Sequence, residues 1–81
     1  MTIAERVKQV MHERGETFIW IGTVELLDCC AERIGKASIH PMIRNKQILD
    51  ALEHSYSFKK EYIVVEIALR RRKVRCFRLI D

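Results

Sequence analysis

A single proline and three glycines in 81 residues leave this chain without a Pro-rich linker and without the Gly-rich loop that cradles nucleotide phosphates. Nowhere do ~18 apolar residues follow one another, so no segment reads as a membrane-spanning helix. The opening MTIAERVKQVM has neither the apolar run nor the small-residue cleavage pattern of a secretory signal. The expected setting is therefore intracellular: the cytoplasm with a nucleoid association, or a host cytoplasm if the source is a virus. The three cysteines are odd in number and include no CxxC spacing, and no HxxxH pair accompanies them, which argues against a disulfide framework and a zinc site. Adjacent Cys29 and Cys30 would diverge by ~100° on a helix and cannot easily share one ion. Paired carboxylates in a cleft and a nucleophile with a recognisable base are also lacking. The reading is of a protein that is not an enzyme and uses no cofactor and no metal.

What is present suits one small domain spanning residues 1–81. Fifteen Lys and Arg against 11 Asp and Glu give a net charge of +4, so the location of the charge matters more than its total. Thr2 followed by Glu5 has the spacing of a capping box, and Ile3, Val7, Val10 and Met11 recur on one face of a helix over Ile3 to Arg14, with Gly15 as its stop. The β-branched and aromatic run Thr17 to Ile21 predicts a short strand. Thr23 can cap a second helix, Val24 to Ile34, with Val24, Leu27, Cys30, Ala31 and Ile34 inward. A third, Pro41 to His54, has His40 as N-cap and Pro41 in its first turn. Met42, Ile48, Leu49 and Leu52 form its core arc, with Asn45 in the middle of that arc. The tail predicts a hairpin: Tyr62 to Leu69, the basic tetrad Arg70 to Lys73 at its tip, then Val74 to Ile80. With no Gly, Asn or Pro at that tip, turn type and register stay open.

Helix, short strand, helix, helix and hairpin, carried by TVELLDCCAERIG, GKASIHP, PMIRNKQILDALEHS and EYIVVEIALRRRKVRCFRLI, together resemble the winged helix-turn-helix family, an α+β fold of three helices, a short strand and a C-terminal two-stranded wing. That resemblance implies double-stranded DNA as the partner, with the third helix in the major groove and the wing on the backbone or minor groove. It points to a small microbial or viral transcriptional regulator. A homodimer is expected, through the first helix or the C-terminal strand.

Opposite the core arc of the third helix lie His40, Ile43 and Gln47, with Arg44 on one flank and Lys46 on the other. Arg pairs with guanine, Gln with adenine, and an aliphatic side chain sits against a thymine methyl; an outward Ile43 is otherwise a stray surface residue or a contact to a second subunit. Arg70, Arg71, Arg72 and Lys73 can neutralise phosphates or enter a narrow minor groove, with Arg75, Lys59 and Lys60 extending the surface. Four cations exceed the one or two lysines that usually protect a strand edge. Two alternatives remain: a protein-interaction module on the same fold, and an RNA-binding protein that uses the basic wing; Trp20, Tyr56 and Tyr62 could stack on unpaired bases, but a few scattered aromatics more often fill a core.

Overall fold

A computed structural model describes residues 1–80. Helix α1 (Ile3–Arg14) starts at Thr2, whose hydroxyl accepts the Glu5 amide, and ends at Gly15, held in the left-handed region at φ 67°. Strand β1 (Phe18–Trp20) leads into α2 (Val24–Arg33) and, past the turn at Gly35, α3 (Pro41–Leu52). Strands β2 (Phe58–Ile67) and β3 (Arg70–Leu79) form the hairpin, and the antiparallel sheet has the order β1-β3-β2. This is a winged helix-turn-helix architecture of the α+β class. Strand β3 lies in the middle, but β1 pairs only with Cys76, Phe77 and Arg78, so the edge of β3 away from β2 is unpaired from Arg70 to Arg75.

Strand alternation distributes the core. Ile19 and Phe77, paired across β1 and β3, point with Phe58 toward the helices. They meet Val7, Val10 and Met11 of α1, Leu26, Leu27, Cys30 and Ala31 of α2, and Ile48, Leu49 and Leu52 of α3. Each fully buried large side chain contributes ~1.5–3 kcal/mol of transfer free energy. On the other sheet face Cys76 is buried beside Trp20, its register partner. Gly22 admits the indole: a Cβ there would lie 2.3 Å from the Trp20 ring.

Several expectations need correction. Val24, placed inward from its periodicity, is exposed, and Leu26 takes the core position. Thr23 stands at the start of α2 but does not cap it, because its hydroxyl donates to the Trp20 carbonyl at 2.7 Å and closes the β1–α2 turn instead. In α3, Met42 is 76% exposed and Arg44 only 7%. Met42 belongs to a first turn that runs past the core, whereas Arg44 and Asn45 stand one turn before Ile48 and Leu49 and share their face.

The largest shift is in the hairpin. Its tip is Ala68–Leu69, bracketed by the Ile67–Arg70 pair, and Arg70 to Lys73 are the first four residues of β3 and not the turn itself. Ala68 and Leu69 adopt φ of 52° and 64°, the double positive φ of a two-residue hairpin turn that glycine and asparagine normally occupy. For residues with a Cβ this conformation costs about 1–2 kcal/mol each.

Candidate nucleic-acid interface

The outer side of α3 begins at His40, whose Nδ1 accepts the Met42 amide at 3.2 Å and caps the helix as expected. Pro41 follows in the first turn, where its missing N–H leaves no backbone partner unsatisfied. Ile43 is 55% exposed, beside the still more exposed Met42. Gln47 is exposed and its Oε1 accepts from Lys36 Nζ at 3.1 Å, which orients the amide.

Arg44 does not belong to this surface. Its guanidinium pairs with Asp28 of α2, donates to the Ala37 carbonyl in the α2–α3 connection at 3.1 Å and reaches Asn45 Oδ1 at 3.4 Å. The expected groove-reading arginine is a brace between the two helices of the helix-turn-helix unit. Asn45, in the core arc, thereby has its partner.

Lys46 opens a chain of alternating charges joining α3 to the hairpin. Lys46 Nζ contacts Asp50 at 3.0 Å and Arg75 contacts Asp50 at 2.6 Å and Glu53 at 2.8 Å. Lys60 completes the chain at 2.9 Å from Glu53. Arg75 is thus a tether of the wing more than an extension of its free positive surface. The network also neutralises both acids of this side of α3, which would otherwise repel a polyanion. Hydrogen bonds from Lys46 and then Arg75 hold the Asp50 carboxyl below the usual carboxylate range, and Lys60 and then Arg75 do the same for Glu53.

A depressed folded-state pKa contributes stability that is complete above the ordinary carboxylate range and lost as pH falls through the lowered value. The hairpin's attachment to α3 should therefore hold at neutral pH and loosen below about pH 4. Carboxylate chemical shifts followed through an acid titration check this. Arg75→Gln should move both midpoints upward, and midpoints that stay put would mean that the Arg75 pairs do not form in solution.

Beyond the Tyr62–Arg75 rung no hairpin residue is buried. The arm carries its cations on both faces, as alternation requires. Arg71 and Lys73 share the helix-facing side with Arg75 and Phe77, while Arg70 and Arg72 lie on the outer side with Val74 and Cys76. Lys73 Nζ sits 5.3 Å from the Tyr62 ring centroid. Among the described residues Arg70, Arg71 and Arg72 have no ion-pair partner, although Glu66 stands opposite Arg71 in the register. Lys59 is exposed at the base of β2.

Cys29 and Cys30 lie on α2, apart from this surface, and Cys76 is buried in β3 at the base of the arm. Burial pushes the Cys30 thiol up to about 12 and raises that of Cys76. Cys29 is half-buried, with Arg14 Nη1 3.3 Å from its sulfur. Among the described residues no three His, Cys, Asp or Glu side chains come together to hold a metal ion, and no helix is long and apolar enough to cross a membrane.

Sequence reasoning missed Asp28, Asp50 and Glu53, which position the interface without belonging to its positive surface, and the pair Ala68–Leu69. Spacing could have found Asp50, four residues after Lys46, the helical ion-pair interval. Nothing local marks Asp28 as the partner of Arg44. Comparison with known proteins finds no matching family model, no matching curated protein and no matching solved structure.

Proposed function

We propose that this chain is a non-enzymatic, double-stranded DNA-binding protein, a small transcriptional regulator that presents the outer face of α3 to the major groove and its basic arm to the flanking backbone and minor groove. One observation carries the reading. Arg75 ties the base of an arm bearing unpaired cations to Asp50 and Glu53 at the end of α3, which supports a phosphate clamp held beside a groove reader. Of the sequence-predicted contacts, His40, Ile43, Lys46 and Gln47 are the base-side set and Arg70, Arg71, Arg72 and Lys73 the phosphate-side set. One short recognition helix covers few base pairs, so the protein acts as a homodimer on two half-sites. Selection from a random duplex pool at moderate salt tests both parts. Two related half-sites at a fixed spacing are expected, a single half-site removes the dimer, and a pool that yields no motif sinks sequence-specific recognition.

Ile43 supplies a sharper test. Ile43→Ser should reduce discrimination at a thymine position by ~1 kcal/mol and leave the melting temperature near that of the parent, because the side chain is more than half exposed. Gln47→Ala should relax preference at a separate position by ~1–3 kcal/mol. A destabilised Ile43→Ser protein with unchanged base preference would place Ile43 in a subunit contact.

The side-by-side exposure of Met42 and Ile43 at the start of α3 favours a second reading, a protein-binding module on the same fold. Its mark would be binding of a protein partner that Met42→Ser abolishes and salt barely alters, the reverse of the salt dependence expected for DNA.

A further inference from the structure

Leu69 is 94% exposed at the outermost point of the arm, and the neighbouring Ile67 is 52% exposed. Leu69 has no core neighbour to pack against, and its positive φ would suit glycine better. Leucine at this position therefore costs the isolated fold conformational strain and exposed apolar area. Around it the next four residues are cations, two on each face of the ribbon. An apolar point flanked on both sides by positive charge is complementary to a minor groove, where phosphates line both walls and stacked bases form the floor. The reach fits as well. From the Tyr62–Arg75 rung, where the arm is tied to α3, to the Ile67–Arg70 rung is about 17 Å at strand rise. Half of a ~34 Å helical repeat of DNA is about the same length, so an arm laid along the duplex axis from α3 spans the distance to the adjacent minor groove.

We propose that the wing tip is a DNA-bending wedge: Leu69, presented on the Ala68–Leu69 turn, enters the minor groove, partly unstacks a base step and kinks the duplex away from the arm. Arg70 and Arg72 hold one phosphate wall and Arg71 and Lys73 the other. The inference rests on the duplex-DNA reading above and assigns it an activity, deformation of the site, that groove contact by α3 alone does not need. A flexible pyrimidine–purine step such as TA is the expected point of entry.

The test uses the full chain, its Leu69→Ala variant and a turn variant combining Ala68→Asn with Leu69→Gly. The probes are a ~30-bp duplex with a central TA step, end-labelled for energy transfer, and the same duplex with a central mismatch. The parent should raise end-to-end transfer and prefer the mismatched duplex by about tenfold, since a mismatch removes part of the unstacking cost. Leu69→Ala should still bind, leave the duplex straight and lose the mismatch preference. The turn variant should melt about 5–10 °C above the parent, since relieving the turn strain raises stability, and also leave the duplex straight. A parent that binds without bending, or a Leu69→Ala protein that bends DNA as the parent does, overturns the wedge and leaves the DNA reading standing. A parent that binds neither duplex overturns both.

Discussion

Replacing Arg70, Arg71, Arg72 and Lys73 together by alanine is expected to lower affinity for every duplex by on the order of 10³-fold at 0.1 M salt and to flatten the salt dependence. Each phosphate contact contributes ~0.9 to the slope of log affinity against log salt, so four contacts remove up to about 3.6. The loss should be uniform across sequences, because phosphates carry no base information. Folding should change little. All four side chains are exposed, none has an ion-pair partner among the described residues, and relief of their mutual repulsion offsets the lost cation–π contact of Lys73 with Tyr62. The tether at Arg75 is left intact, so the arm keeps its direction relative to α3. Titrations of parent and quadruple variant at several salt concentrations, with melting curves as control, make the measurement. A variant with the parent's slope would show that the arm is not a phosphate clamp.

Most elements were legible because local chemistry and tertiary packing agree. The capping pair Thr2 and Glu5, Gly15 in the left-handed region and Pro41 after His40 each act at the end of one helix, and α1 has the limits its periodicity predicts. The hairpin tip was misplaced for the opposite reason. Ala68 and Leu69 continue an apolar run and have no turn propensity, so the β-prone stretch reads straight through them, and the charged tetrad is the first interruption. Register is set at the far end of the ribbon, where Phe58 pairs with Leu79 and Phe77 must face the helices, and equal strand lengths then fix the turn ten residues away. Likewise β2 starts at Phe58, four residues ahead of the expected Tyr62, because the charged run Lys59, Lys60 and Glu61 has no strand pattern of its own and becomes strand only through its pairing with Arg78, Phe77 and Cys76 of β3. Of the candidate site, the exposure of Ile43, Lys46 and Gln47 followed from helical spacing. The tether from Arg75 to Asp50 and Glu53 did not, since those residues are more than twenty positions apart and meet only in the folded chain.

Arg44→Ala is expected to lower stability by about 2 kcal/mol, a fall in melting temperature of roughly 10–15 °C for a domain of this size. A helical periodicity that places Met42 inward puts Arg44 on the flank of the DNA-facing side, where its loss would relax preference at one base pair and leave the fold alone. Its actual environment leads elsewhere. The guanidinium is buried between α2, the α2–α3 connection and its own helix, and it serves Asp28, the Ala37 carbonyl and Asn45 at once. Truncation removes a charge-assisted bond to a carboxylate, leaves the Ala37 carbonyl to water and strips the aliphatic stem from the packing against α2. The cost stays short of the 3–5 kcal/mol typical of breaking a fully buried pair, because the Asp28 side chain is 53% exposed and regains hydration. Arg44→Lys should recover part of the loss, since an ammonium keeps the charge but cannot serve three acceptors through a planar fork. DNA affinity should fall for all sequences together, as the angle between α2 and α3 loosens, with the ranking of bound sequences preserved. If Arg44→Ala instead melts with the parent and loses preference at a single base pair, the α2–α3 brace does not form in solution and Arg44 faces the groove.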